Sequence, residues 1–103
     1  MYLLSFYVPS DHLESVKESL FLAGAGHIGD YDRCCWQTKG EGQFRPNDGS
    51  NPYLGTQDEL MRVDEYKVEL LCHSGEIKKV IKALKKSHPY ETPAYHVVRI
   101  SRF

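Results

Sequence analysis

The chain has 103 residues, of which 41% are hydrophobic and 26% charged, which suits one domain with a single core spanning residues 1–103. Its formal net charge of −1 argues against a general nucleic-acid binder, and no apolar run approaches the roughly 20 residues that a membrane-spanning helix needs. The N-terminus lacks the features of a signal peptide, and three cysteines, two of them adjacent, fit reduced thiols, so we expect a cytoplasmic protein that binds neither nucleic acid nor membranes.

The first 39 residues predict a strand, a helix and a second strand. Met1–Val8 alternates in the manner of a strand, and Pro9 ends it. Asp11 and Glu14 have the spacing of a capping box at the start of a helix. The apolar face of that helix is formed by Leu13, Val16, Leu20 and Ala23. The glycines that follow end the helix, and Tyr31–Lys39 is predicted to be the second strand.

Residues 40–58 have a different composition. GEGQFRPNDGSNPYLGTQD is rich in glycine and proline and shows no helical period. A long irregular segment in a small domain is typically a functional or mobile loop, with Phe44 and Arg45 pairing briefly as part of a hairpin arm. Arg45 could hold an anionic group, but an arginine beside aromatic residues is also typical of an interface, so Phe44, Arg45 and Tyr53 are candidate ligand-binding or interface residues.

The second half predicts a strand, a helix and a final strand. Glu59–Cys72 alternates as a strand, and Ser74 is a candidate cap for the helix that follows. The apolar stripe of that helix is formed by Ile77, Val80, Ile81 and Leu84. His88 must end the helix, because a residue before a proline is pushed out of helical geometry. Ala94–Ser101 is predicted to be the fourth strand.

This order of elements predicts an α+β fold. Strand, helix, strand, strand, helix, strand is the βαββαβ order of a ferredoxin-like sandwich. In that arrangement two helices cover one face of a four-stranded antiparallel sheet.

The stretch HPYETPAY, from His88 to Tyr95, is the most distinctive part of the sequence. Its two prolines stiffen the chain and hold His88, Tyr90 and Glu91 in place. An imidazole and a carboxylate near a helix C-terminus could bind a divalent cation, which makes His88 and Glu91 candidate metal ligands. The simpler interpretation is a structural turn in which Glu91 accepts backbone N–H bonds and Tyr90 packs, and a subunit interface would be compatible with either.

Two other groups of residues carry weaker functional signals. Cys34 and Cys35 are adjacent and point to opposite faces of a strand, so they do not suit one metal ion, and Cys72 with His73 has the same problem. The glycines of GAGHIG close a helix and open a strand, which is the reverse of the order in a phosphate-binding turn.

Several motifs, in order, resemble one known family. GAGHIGDYDRC, GEGQFRP, NPYLG, VDEYKVEL and HPYETPAY resemble the insert domain of the NGG1-interacting-factor-3-like (YqfO-type) family over about Pro9 to Tyr95. The HPYE-x-P portion also resembles the CutA divalent-cation-tolerance proteins, whose fold is shared by PII-like signalling proteins. The resemblance implies a CutA/PII-like ferredoxin-like fold and a trimer whose hairpin arms reach neighbouring subunits. Full-length family members carry a dinuclear metal site in two flanking lobes, and the residues of those lobes have no counterparts in this chain.

Two functions from different classes follow. The first is a non-catalytic, homo-oligomeric binding, regulatory or assembly module, with a small-molecule ligand in a cleft between subunits and the segment 40–58 as its wall. The second is a metal-dependent role, either CutA-like cation handling through His88 and Glu91 or service as an accessory domain of a metal-dependent hydrolase. The chain lacks the clustered His, Asp and Glu residues of a dinuclear hydrolytic site, which favours the first function and no catalytic residues.

Overall fold

The computed structural model describes all residues, 1–103, and contains four strands and two α-helices. In chain order the elements are β1 (Tyr2–Pro9), a 3₁₀ turn (Ser10–His12), α1 (Leu13–Leu22), β2 (Trp36–Phe44), β3 (Met61–Cys72), α2 (Ile77–Ser87) and β4 (Tyr95–Arg99).

The four strands form one antiparallel sheet in the order β2-β3-β1-β4. The register places Leu4 of β1 opposite Leu70 of β3 and Phe6 opposite Val68. Because side chains alternate across a strand, one face of β1 and β3 is apolar and the other is mixed. This is the ferredoxin-like βαββαβ arrangement that the sequence predicts.

Both helices pack on the apolar face of the sheet. The stripes of α1 and α2 meet β1 and β3 in a single cluster of 12 buried residues. The cluster consists of Leu4, Phe6, Val8, Leu13, Val16, Leu20, Ala25, Val68, Leu70, Cys72, Val80 and Leu84. Full burial of a Val, Leu or Phe side chain contributes about 1.5–3 kcal/mol, so this cluster supplies most of the apolar stabilisation.

The predicted end of the first helix is confirmed in detail. Gly24 has a φ of 113° and its N–H donates to the carbonyl oxygen of Phe21, while the N–H of Ala25 donates to that of Leu20. This pair of bonds is a Schellman motif, which satisfies the last carbonyls of a helix and needs a residue that tolerates positive φ.

The predicted helix caps are wrong. A 3₁₀ turn occupies Ser10–His12, so α1 begins at Leu13 and its N-cap, His12, makes no capping side-chain bond. Asp11 is therefore one residue before the N-cap and does not form the predicted capping box with Glu14. The second helix begins at Ile77 after Glu76, which likewise makes no capping bond, so Ser74 is not its cap.

The second strand starts later than predicted and continues into the segment predicted to be irregular. Arg33 has a φ of 53°, which is incompatible with a strand, and its guanidinium pairs with Glu18 at 2.8 Å. Tyr31–Cys35 is therefore a connection, and β2 extends through Gly40 to Phe44. The loop is correspondingly shorter and covers residues 45–60. The strands β1, β3 and β4 differ from their predicted ranges by one or two residues at their ends.

The hairpin of β2 and β3 forms an arm that extends beyond the helices. Seven of the nine residues of β2 are exposed and none is buried, because the buried core lies between the helices and the strands β1 and β3. The molecule is consequently elongated, with extents of 47 × 24 × 23 Å. Neither helix has the length and apolar character needed to cross a membrane.

Candidate functional site

His88 is the fixed point of the HPYETPAY turn. It adopts an extended conformation, with φ −73° and ψ 135°, immediately after the last residue of α2, as the following proline predicts. Its side chain is only 6% exposed. The imidazole at the end of α2 therefore points into the protein rather than toward solvent.

Both ring nitrogens of His88 are bonded to the main chain. The N–H of Tyr90 donates to Nδ1 at 3.1 Å, so Nδ1 is unprotonated. Nε2 carries the proton and donates to the carbonyl oxygen of Tyr7, in β1, at 2.6 Å. Burial lowers the pKa of His88, although the bond to Tyr7 opposes the shift, and this favours the neutral ring. In this arrangement neither nitrogen has a lone pair free for a metal ion.

Tyr90 stands at the centre of a group of aromatic rings. Its ring centroid lies 5.0 Å from that of His88, 5.9 Å from that of Phe44 and 6.5 Å from that of Tyr53. Its hydroxyl donates to Oε2 of Glu65, in β3, at 2.7 Å. Burial, together with the Glu65 carboxylate, raises the pKa of Tyr90 far above its ordinary value. Tyr90 is thus a neutral hydrogen-bond donor.

Glu91 connects the turn to the loop. Its carboxylate Oε2 accepts the backbone N–H of Asn51 at 3.0 Å, as the structural-turn interpretation expects. His88 bonds to β1 whereas Glu91 bonds to the loop, so the two candidate metal ligands are engaged in different directions. No group of three or more His, Cys, Asp or Glu side chains is arranged to hold a metal ion.

The loop after β2 folds back over the turn. Tyr53 bonds to Nε2 of His12 at 2.8 Å through its hydroxyl, and the two rings meet edge to face at 5.5 Å. The N–H of Asp58 donates to the carbonyl oxygen of the buried Pro46 at 2.7 Å. Arg45, in contrast, is exposed and makes no ion pair or side-chain hydrogen bond. The loop is thereby closed on itself by the Asp58–Pro46 bond and held to the rest of the domain by the Tyr53–His12 and Asn51–Glu91 contacts.

These elements enclose a cleft of about 260 Å³. Four of the six predicted site residues line it, namely Phe44, Tyr53, Tyr90 and Glu91. His88 lies behind Tyr90 and supports it, and Arg45 is not part of the lining.

Sequence reasoning missed Tyr7 and Glu65, which also line the cleft. Both belong to the face of the sheet opposite the helices, and in a sequence they look like ordinary outward-facing strand residues. Gly42 could have indicated Glu65, because a glycine inside a strand often marks a close approach of another group.

Gly42→Ala should displace the Glu65 carboxylate and break its bond to Tyr90. A Cβ at position 42 would overlap the end of the Glu65 side chain, which is flexible enough to move. Gly40→Ala is the matched control, because the same strand has open space at that position. We expect the Gly42 variant, and not the Gly40 variant, to change the NMR signals of Tyr90 and Phe44. Identical spectra for the two variants would contradict the placement of Glu65.

Sequence comparison relates the chain to much longer bacterial proteins. A protein of Halalkalibacterium halodurans is 47% identical over 95 residues, which are 92% of this chain and 26% of that protein. A Bacillus subtilis protein is 41% identical over 99 residues, which are 96% of this chain and 26% of that protein. Both are named GTP cyclohydrolase 1 type 2 homolog. The chain thus spans about a quarter of the length of these curated relatives.

Structure comparison finds the same relationship, and it shows that the fold also occurs in CutA proteins. A Bacillus cereus protein related to NIF3 superposes with a TM-score of 0.83 at 37% identity, covering 98% of this chain and 26% of that protein. CutA1 from Pyrococcus horikoshii has a TM-score of 0.71 at 13% identity, covering 100% of this chain and 86% of that one. The CutA likeness therefore concerns the fold alone.

No family model matches the chain. The relatives nevertheless agree in both sequence and structure over nearly all of its residues. The chain is therefore homologous to one domain-sized segment of the NIF3-like (YqfO-type) proteins, and it shares its ferredoxin-like fold with the CutA proteins.

Proposed function

We propose that this chain is a non-catalytic binding module that assembles as a homo-oligomer, with a trimer favoured, and holds a small ligand in the cleft beside Tyr90. The observation that carries the proposal is the cleft itself, which has aromatic walls and a few fixed polar groups. Ligand sites in proteins commonly have this composition.

The polar groups around the cleft support binding rather than catalysis. His88 is the group best suited to acid–base chemistry near neutral pH, but both of its nitrogens are bonded to main-chain groups. The Tyr90 hydroxyl is held to Glu65, and its pKa is raised away from the range useful to a base. These contacts fix the shape of the cleft.

The face of the sheet opposite the helices supports assembly. Trp36 is 68% exposed and Val98 is 50% exposed, and the register places both on this face together with Leu3 and Leu71. Exposed apolar residues on a sheet without a covering layer are typical of an interface. This face suits the trimer that the resemblance to CutA proteins implies.

A second candidate is an accessory role in a metal-dependent hydrolase. The relatives named GTP cyclohydrolase 1 type 2 homolog are about four times as long as the segment they share with this chain, so in them the module is joined to further structure. Under this proposal the chain would present its cleft to a separate hydrolase protein.

CutA-like cation handling is less well supported, because a metal at His88 would have to displace one of its two hydrogen bonds. The free state of all three cysteines is consistent with a reducing, cytoplasmic setting.

Native mass spectrometry combined with an NMR fragment screen would test the proposal. For the protein as purified we expect a trimer without a stoichiometric metal. Neutral, cationic and anionic fragments should then be screened for shifts in the amide signals of Phe44, Tyr53 and Tyr90. A monomer at micromolar concentration would overturn the assembly proposal, and a set of fragments that all leave the cleft unperturbed would overturn the binding proposal.

A further inference from the structure

The cleft has negative charge without a compensating cation. Its 13 lining residues include two carboxylates, Glu65 and Glu91, and no lysine or arginine. Neither carboxylate takes part in an ion pair, and each accepts a hydrogen bond from a neutral donor, the Tyr90 hydroxyl or the Asn51 amide. Lys67, two positions along β3 from Glu65, pairs with Glu69 at 3.6 Å instead.

The walls of the cleft are aromatic. Tyr7, Phe44, Tyr53 and Tyr90 all contribute to the lining. The Tyr90 ring is inclined by 57° to Phe44 and by 46° to Tyr53, so the rings surround the space at different angles and do not stack flat. The face of an aromatic ring carries partial negative charge and attracts a cation within about 6 Å of its centroid.

We propose that the ligand of this cleft is a small organic cation, an ammonium group carried on an apolar body. This deepens the proposed binding function and rests on it. The apolar body would contact the rings and the prolines of the loop, and the ammonium group would lie near Glu65 and Glu91. The volume of about 260 Å³ has room for a small organic molecule.

A metal ion does not meet the same description. It would need several oxygen or nitrogen ligands converging on one point, whereas no group of three or more His, Cys, Asp or Glu side chains is arranged to hold one. An ammonium group on an organic body is attracted both by ring faces and by carboxylates. It also gives up its water more readily than a small divalent ion such as Mg²⁺. The composition of the cleft therefore selects this class of ligand.

Choline and its uncharged isostere 3,3-dimethyl-1-butanol provide a matched pair of probes. They have nearly the same shape and differ in the positive charge, so titrating each into the full chain, followed by NMR, isolates the contribution of charge. We expect choline to bind about ten-fold more tightly, and to shift the signals of Phe44, Tyr53 and Tyr90. Its affinity should also fall as salt is added.

Two variants distinguish the effect of the Glu65 carboxylate on binding from the effect of the protein's net charge. Glu65→Gln keeps an acceptor for the Tyr90 hydroxyl while removing the charge, and it should weaken choline binding several-fold while leaving the butanol unchanged. Asp30→Asn removes the same charge at an exposed position outside the cleft and should leave both affinities unchanged.

The results distinguish this inference from the function on which it rests. If uncharged fragments bind in the cleft and choline binds no better than its isostere, the cleft is a ligand site but the organic-cation inference is wrong. If probes of every charge fail to bind, both proposals are wrong. An unchanged choline affinity in Glu65→Gln would also overturn the assigned role of that carboxylate.

Discussion

Replacing His88 by alanine should lower the free energy of unfolding by about 2–4 kcal/mol. The imidazole is almost completely buried and joins the end of α2 to β1 and to the turn. Alanine would leave a cavity, and it would remove the partners of the Tyr7 carbonyl and the Tyr90 N–H. Urea unfolding monitored by circular dichroism would measure the loss. His88→Gln, which retains a donor of similar reach, should cost less than alanine.

The pH dependence of stability provides a second measurement on the same residue. Burial lowers the pKa of His88 in the folded state from its ordinary value of 6.5. Below that value the unfolded chain takes up a proton that the folded chain resists, so stability should fall as the pH decreases through about 6.5 and should be regained above it. Subtracting the His88→Gln profile isolates the contribution of His88. An unchanged pH slope in the variant would show that the ring is not held neutral.

The strands and helices with a clear periodic pattern of apolar residues could be predicted from the sequence. The alternation Leu4, Phe6, Val8 and the helical stripe Val80, Leu84 both mark residues that are buried in the single core. His88 could be identified as a helix stop because its constraint is local, arising from the proline that follows. These features depend on backbone sterics and on one buried face, which a sequence displays directly.

The second strand could not be located in the same way. No residue of β2 is buried, so the strand carries no apolar alternation, and its position is determined by pairing with β3. The predicted start at Tyr31 failed because Arg33 adopts positive φ and pairs with Glu18 on α1. That contact joins residues on different elements and leaves no periodic signal.

The cleft was predicted only in part for a similar reason. Tyr90 and Glu91 attract attention because they belong to an unusual motif, and Phe44 and Tyr53 because they are aromatic residues in an irregular segment. Glu65 belongs to the site through its bond to Tyr90, 25 positions away, and through the space that Gly42 provides. Its participation follows from the register of β2 on β3, which sets these residues side by side.

The HPYETPAY turn joins three parts of the fold. His88 reaches β1, Tyr90 reaches β3, and Glu91 reaches the loop after β2. A ligand that contacts Tyr90 would therefore meet a side chain whose position depends on the sheet and on the helix end at once. We infer that binding in the cleft would stabilise the loop, because the loop and the ligand share Tyr90 as a contact.

Tyr90→Ala should lower the free energy of unfolding by about 2–3 kcal/mol and loosen the loop. The substitution removes the ring that contacts Phe44, Tyr53 and His88, and it leaves Glu65 without its hydroxyl donor. Hydrogen exchange at the Asp58 amide, which bonds to Pro46 within the loop, should accelerate.

Two further tyrosine variants identify which part of the side chain is responsible. Tyr90→Phe keeps the ring and removes only the bond to Glu65, so it should cost about 0.5–1.5 kcal/mol and leave loop exchange nearly unchanged. Tyr31→Ala is the control for removing a tyrosine ring, because Tyr31 is 74% exposed, and it should stay within about 0.5 kcal/mol of the parent chain. If Tyr90→Ala were as mild as Tyr31→Ala, the ring would not be the contact that holds the loop, and the shape of the cleft would have to depend on Glu91 and the Tyr53–His12 bond instead.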